Sequence, residues 1–317
     1  MRFGLFVPQG LRMDLPESPD PSAQLDTLLG VARAADEGPW DSVWVHDHLH
    51  TVPEQRDSTL FEAWTLTAVL ARETRRVRIG QMACSNGFRH PALFAKMAST
   101  VDVASGGRLC AGLGAGWFRG EAVAYGYPWP GLGERMARFA EAVRVVHALW
   151  TERRPTVDGR YYAVDRPSNE PRGLPRPEFW IAGGGERVTL PLVARYGDAC
   201  NVGAGDPAVV ARKLAVLRAH CADAGRDEAG ITKSTSLDVF PVGTEAERET
   251  ARTYVLRHDS LARLDGGTAV RTVRETRERV AHLRDAGVEH LLVYLPGLAH
   301  DLEPLHRFAE AVIPVFR

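Results

Sequence analysis

Short apolar runs alternate with helix-patterned stretches along almost the whole chain, and this alternation restricts the fold more than any single motif does. Phe3 to Val7 predicts a first strand, followed by a helix from about Ser22 to Ala35. Ser42 to His46 and Val77 to Cys84 predict the second and third strands, with a helix from about Leu60 to Glu73 between them. The next helix opens at Pro91, a residue suited to a first turn, and Gly106-Gly107 closes it before the strand Leu109 to Leu113. A long loop runs from Ala115 to Gly133. The helix from Glu134 then places Met136, Phe139, Val143, Val146 and Trp150 on one face. Thr156 to Val164, with Asp158-Gly159 at its centre, reads as a small hairpin within an insertion over residues 151–177. The alternation resumes with the strand Phe179 to Ala182, a helix from Glu186 to Tyr196 and the strand Ala199 to Val202. A helix capped by Asp206, opened by Pro207 and closed by Gly225 follows. Thr235 to Val242 is the seventh strand, two helical segments occupy roughly residues 245–285, and His290 to Leu295 is the eighth strand before a final helix.

Eight strands in strict alternation with helices predict an α/β fold, a (β/α)8 TIM barrel with insertions, formed as one domain over residues 1–317 rather than an open doubly wound sheet. Length alone allows two domains, but single barrels reach 317 residues. Lys and Arg number 39 against 40 Asp and Glu, with no run of one sign, so neither nucleic acid nor an acidic membrane surface is an expected partner. Cys84, Cys110, Cys200 and Cys221 are far apart and form no CxxC pair, which suits buried thiols in a reducing compartment. The first apolar run meets Pro8 well short of a signal segment, and no apolar run is long enough to span a bilayer, so a cytoplasmic location is expected.

In such a barrel, function sits at the carboxyl ends of the strands. That rule selects Pro8 and Gln9, His46 to His50, Met82 to Asn86, Gly112 to Trp117, Gly183 to Gly185, Asn201 and Tyr294. Two histidines at i and i+2 share a strand face, as in some barrel metal sites, so His46 and His48 raise a metal-dependent hydrolase as a rival. That rival needs further ligands at later strand ends, yet those ends carry glycines and Asn201; no metal is expected. The remaining readings of the cluster are hydrogen-bonded loop histidines, or proton transfer near neutral pH. Gly183-Gly184-Gly185 leads into Glu186 to Thr189 at a helix start, where backbone N–H groups hold a phosphate; a plain flexible turn is the alternative. Gly112-Leu113-Gly114-Ala115-Gly116 leaves the fourth strand end without bulk, but Trp117 breaks a GxGxxG pattern and excludes a dinucleotide fold. GxSxG does not occur, which leaves a serine hydrolase unsupported.

Five stretches together resemble the luciferase-like superfamily of flavin and deazaflavin barrels. They are DSVWVHDH (Asp41 to His48), Phe88 to Leu109, GLGAGWF (Gly112 to Phe118), GRYYAV (Gly159 to Val164) and Ile181 to Asn201. The resemblance runs from near Phe3 to about Thr232, and its spacing is most similar to actinobacterial enzymes that use coenzyme F420, an 8-hydroxy-5-deazaflavin. It implies that Asp47 and His48 face the ring, with His48 close to the reactive carbon. Met82-Ala83 falls at a bulge where relatives often have a non-prolyl cis peptide behind the ring. Gly114 belongs to the pocket wall, and Gly183, Gly184, Gly185 and Thr189 match the phosphate-binding turn. One departure stands out. Deazaflavin sugar-phosphate dehydrogenases of the superfamily carry a catalytic glutamate where this chain has Trp117, so that activity is not expected.

The resemblance therefore implies an oxidoreductase moving hydride between F420 and a small organic substrate with an activated C=C, C=N or C=O bond. His48 is the expected catalytic residue. Trp117, Tyr125 and Trp129 are expected on the substrate side, or else in ordinary loop packing. The alternative is an FMN-dependent monooxygenase supplied with reduced flavin by a partner reductase, and a third reading is a flavin-binding protein without catalysis. A homodimer is the form the resemblance implies.

Overall fold

Strand residues that alternate in the sequence divide between two cores. In the computed structural model, which describes residues 1–18, 20–173 and 175–317, the barrel strands are β1 (Arg2–Phe6), β2 (Ser42–Val45), β3 (Arg78–Gln81), β4 (Leu109–Gly114), β5 (Glu178–Ala182), β6 (Ala199–Asn201), β7 (Thr232–Asp238) and β8 (His290–Tyr294). All pair in parallel in the order β3-β2-β1-β8-β7-β6-β5-β4, and β4 returns to pair with β3. The sheet is thus a closed eight-stranded barrel, the predicted (β/α)8 architecture. Its helices are α1 (Pro21–Glu37), α2 (Ala63–Glu73), α3 (Pro91–Ser105), α4 (Arg119–Ala124), α5 (Leu132–Thr151), α6 (Thr189–Tyr196), α7 (Pro207–Asp223), α8 (Arg248–His258), α9 (Ala262–Asp265), α10 (Val273–Asp285) and α11 (Glu303–Ala311).

Phe3, Leu5, Val43, Val45, Leu291 and Val293 join the core between sheet and helices, whereas Phe6, Trp44, Cys110, Trp180, Leu292 and Tyr294 fill the barrel itself. Two glycines make that filling possible. A Cβ at Gly4 or Gly80, on the strands flanking β2, would overlap the Trp44 indole. The indole N–H donates to Ser42 Oγ at 2.7 Å, and Ser42 Oγ is hydrogen-bonded to His290 Nε2 at 2.9 Å.

Burial pushes the His290 imidazole down to about 3, and nearby Arg2 and Arg78 act in the same direction; burial does the same to His46. Both rings are neutral when folded and free to bind a proton at the ordinary value of 6.5 only when unfolded. Stability therefore falls as pH drops below 6.5 and continues to fall until about 3. Each histidine contributes about 1.4 kcal/mol per pH unit within that window. Urea titrations of His290→Gln at pH 6.5 and pH 5 should show a loss about 2 kcal/mol smaller than in the unaltered chain. An equal loss in both proteins would contradict buried neutral His290.

Three local expectations are corrected. The third strand stops at Gln81 and pairing resumes at Cys84–Ser85 against β4; the intervening Met82–Ala83 peptide is cis. The seventh strand starts at Thr232 and ends at Asp238; Phe240–Val242 leaves the barrel to pair with Val270–Thr272. Phe240, Val242, Val255 and Val270 form a small core of their own with α8, which gives those three residues a partner outside the barrel. Within the stretch 151–177, of which residue 174 lies outside the described residues, Thr156–Asp158 and Ala163–Asp165 do form a hairpin. Its turn is the four residues 159–162 rather than a tight Asp-Gly turn. The Glu141 carboxylate of α5 accepts from the N–H groups of Arg160, Tyr161 and Tyr162, an anchor from a distant helix.

Candidate active site

The carboxyl ends of the strands surround a cavity of about 610 Å³. His46, Asp47 and His48 leave the end of β2 in three directions. His46 stacks on Phe6 with centroids 4.5 Å apart, and its Nδ1 donates to the Met82 carbonyl at 3.1 Å. That bond leaves a lone pair on Nε2, which is buried without a protein partner. Asp47 Oδ2 accepts from the Ser85 N–H at 2.8 Å and from Arg89 at 2.7 Å, and Arg89 is itself held by Glu62 at 2.5 Å. Asp47 Oδ1 is buried and has no partner. Burial pushes the Asp47 carboxyl above its ordinary range, against the pull of Arg89 and the Ser85 N–H.

His48 is the histidine with a carboxylate. Its Nδ1 donates to Glu121 Oε2 at 3.0 Å, which leaves Nε2 as the nitrogen free of that bond. Glu121 is 1% exposed, and its Oε1 accepts from the backbone N–H groups of Leu49 at 2.5 Å and His50 at 3.2 Å. Burial works to raise the Glu121 carboxyl, but His48 and the two N–H groups outweigh it and hold it below the ordinary value. Glu121 belongs to α4, which lies inside the stretch read from sequence as an irregular loop. Tyr125, which ends α4, donates its hydroxyl to the Leu49 carbonyl at 2.6 Å and so clamps α4 against the 48–50 segment. The signal for Glu121 was present, since it is the only carboxylate between Ala115 and Gly133.

His50 turns away, with Nδ1 donating to the Thr51 carbonyl at 2.8 Å, so the three histidines do not converge. Among the described residues no three His, Cys, Asp or Glu side chains are grouped to share a metal ion. No helix among them is long and apolar enough to cross a membrane.

Of the other expected site residues, Met82, Ala83, Gly114, Trp117, Trp129, Gly183, Gly184 and Thr189 line the cavity, while Gly185 and Tyr125 do not. Trp117 is 68% exposed and lies edge-on to His48 with centroids 5.7 Å apart. Arg135 stacks 4.1 Å over the Trp129 ring and donates to the Gly116 carbonyl, which fixes Trp129 at the rim. The three glycines at the end of β4 do different jobs. A Cβ at Gly112 would overlap the Gln81 carbonyl, and one at Gly116, with φ +76°, would lie 2.6 Å from Ser85 Oγ. At Gly114 the nearest atom is the Ala83 Cβ at 3.7 Å, so only there does the missing side chain open space toward the cavity.

The glycine turn after β5 departs from expectation at the helix. α6 begins at Thr189 and not at Glu186, because Leu190 N–H donates to the Gly185 carbonyl at 2.9 Å and holds residues 186–188 in a turn. Thr189 is therefore at the first helical position, with its side chain beside Gly183 and Gly185. The Lys213 stem covers Gly184, and its Nζ donates to Glu186 at 2.7 Å.

On the β7 and β8 side, Arg12 lies 3.6 Å over the Tyr294 ring and pairs with Asp238 at 2.5 Å and Asp259 at 3.3 Å. The Tyr294 hydroxyl donates to Asp14 at 2.9 Å, and Asp14 also accepts from the Gly10 N–H.

The chain is 27% identical over 332 residues to the F420-dependent glucose-6-phosphate dehydrogenase of Amycolatopsis mediterranei (strain U-32), covering 92% of this chain and 94% of that protein. It is 28% identical over 314 residues to the enzyme of the same name from Nocardia farcinica (strain IFM 10152), covering 86% and 88%. An F420-dependent secondary alcohol dehydrogenase in complex with an F420-acetone adduct superposes with a TM-score of 0.81 at 19% identity, over 100% of this chain and 99% of the other. The EDTA monooxygenase from Chelativorans sp. BNC1 does so with a TM-score of 0.82 at 19% identity, over 99% and 93%. These two superpositions establish the fold. The family model described as luciferase-like monooxygenase matches residues 1–295, well beyond Thr232 where the sequence resemblance fades. The chain belongs to the luciferase-like monooxygenase family.

Proposed function

We propose that this chain is an oxidoreductase that moves hydride between coenzyme F420 and a small organic substrate, with His48 carrying the proton and Glu121 setting the state of His48. The observation that carries the reading is the Glu121–His48 pair at the cavity wall, next to an Asp47 oxygen that is buried without a partner. A buried carboxylate oxygen costs free energy unless it accepts a hydrogen bond. A ring N–H is the kind of donor that satisfies it. Gly183, Gly184 and Thr189 would hold the phosphate end, and Met82, Ala83 and Gly114 the back of the ring. The curated relatives, named for their use of F420, support the same cofactor.

Bound there, the deazaflavin supplies a carbon that gives or accepts a hydride. Every other task falls to the protein. In the reducing direction, hydride adds to the electron-poor atom of a C=O, C=N or activated C=C bond, and the displaced π pair takes a proton from His48 Nε2. In the reverse direction Nε2 takes the proton back. Glu121 serves both directions, because its carboxylate fixes the proton on Nδ1 and offsets the charge of the protonated ring.

Parallel titrations with F420 and FMN, followed by ring fluorescence, test the cofactor. Micromolar affinity for F420 and at least tenfold weaker FMN binding, roughly 1.4 kcal/mol or more apart, is the expected result. Micromolar FMN binding without F420 binding would overturn the reading in favour of a flavin monooxygenase.

A further inference from the structure

The charge of the cavity wall narrows the substrate. Among the described lining residues, the ionisable side chains are Arg12, His46, Asp47, His48, Glu121 and Asp238. Three are carboxylates and one is a guanidinium. Arg12 is already committed to carboxylates through both terminal nitrogens and keeps only its buried Nε wholly without a partner. Its two terminal nitrogens pair with Asp238 at 2.5 and 3.3 Å, one of them also with Asp259 at 3.3 Å, and its face lies against Tyr294. Asp238, in contrast, keeps 42% of its side chain exposed and faces the cavity. Two carboxylates, Asp238 and Asp259, thus surround one cation on this side. Leu11, Val52, Phe88, Phe118, Trp129 and Leu261 are among the apolar residues of the same cavity wall.

Recognition of a phosphate or carboxylate group needs an arginine or lysine with free donors, and an anion placed against a wall where carboxylates outnumber cations is repelled. Lys213 does not supply that cation, because it lies over Gly184 and pairs with Glu186 on the side assigned to the cofactor phosphate. We infer that the substrate side takes an apolar organic molecule, uncharged or cationic, and that Asp238 turns away molecules carrying phosphate or carboxylate. This rests on the proposed function only in treating the Gly183–Thr189 side as the cofactor's. It separates this chain from relatives named for glucose 6-phosphate.

Four probes of one shape test it: benzyl alcohol, benzylamine, benzoate and benzyl phosphate. Each is titrated into the full chain saturated with F420, whose own binding is measured first, and read by the change in tryptophan fluorescence. Benzyl alcohol and benzylamine should bind, and benzoate and benzyl phosphate should bind at least about tenfold more weakly. In Asp238→Asn the gap for benzoate should shrink to about threefold or less with F420 affinity unchanged. Arg12 keeps Asp259 in that variant. If it nevertheless fails to fold, about 1 M salt on the unaltered protein should shrink the same gap while leaving benzyl alcohol unaffected. Benzyl phosphate binding as tightly as benzyl alcohol would overturn the inference, as would failure of all four probes to bind. Failure of F420 itself to bind would overturn the proposed function instead, and the same series on the bare protein would still decide this inference.

Discussion

Replacing His48 by alanine is expected to lower kcat for hydride exchange by about 10²–10⁴-fold, with F420 affinity changed no more than a few-fold. The size follows from what is removed. His48 is the cavity-lining histidine whose Nδ1 is held by a carboxylate, so its Nε2 is the nitrogen available for exchange. His46 cannot replace it, because burial holds its ring neutral down to about 3 and its Nδ1 is engaged by the Met82 carbonyl. Added imidazole should restore part of the rate in His48→Ala, since a freed site beside Trp117 admits a small ring. Single-turnover measurements separate the proton-linked step from binding. A kcat within a few-fold of the unaltered chain across pH would remove the proposed role.

The second large effect is expected at Glu121. In Glu121→Gln the amide can still accept from Leu49 and His50, but the atom facing His48 Nδ1 becomes an N–H donor. The imidazole must then accept at Nδ1 and carry its proton on Nε2, the wrong tautomer for a base, and no charge offsets the protonated ring. A loss of about 10–10³-fold in kcat follows, smaller than deleting the imidazole and larger than its effect on F420 affinity. Glu121→Ala adds a stability cost of about 2–4 kcal/mol, because the Leu49 and His50 N–H groups lose their acceptor. Glu121 also carries a pH signature. Its carboxyl is held below the ordinary 4.5, so its contribution to stability is complete above 4.5 and is lost as pH falls through the lower folded value. Urea titrations below pH 4.5 should therefore fall less steeply with acid in Glu121→Gln than in the unaltered chain. Identical slopes would show that the carboxylate is not stabilised by the fold.

What the sequence made legible was what local periodicity and punctuation encode. Alternating residues such as Phe3, Leu5 and Val7 against Gly4 and Phe6 mark a strand with two buried faces, and Pro91 with Gly106-Gly107 brackets α3. The barrel follows from repeating such units. The strand-end rule of barrels selected the segments that hold Asp47, His48 and Met82-Ala83, and the resemblance to luciferase-like barrels gave those residues their expected roles. Glu121 was not singled out, since its importance arises only when α4 folds back onto Leu49 and His50, contacts more than 70 positions apart in the chain. The start of α6 was misplaced for a similar reason: a backbone bond from Leu190 to Gly185 decides it, and no side-chain cap announces it. Tyr125 reads as a substrate aromatic but is taken up by the Leu49 carbonyl. The turn of the 156–165 hairpin depends on Glu141, which belongs to another helix.

A crystal structure of the chain with bound F420 should show a ring N–H hydrogen-bonded to Asp47 Oδ1, His48 Nε2 facing the reactive carbon with Glu121 still on Nδ1, and the phosphate at Gly183, Gly184 and Thr189. A ring bound away from Asp47 and His48, or a phosphate held on the Arg12 and Asp238 side, would contradict the proposed function.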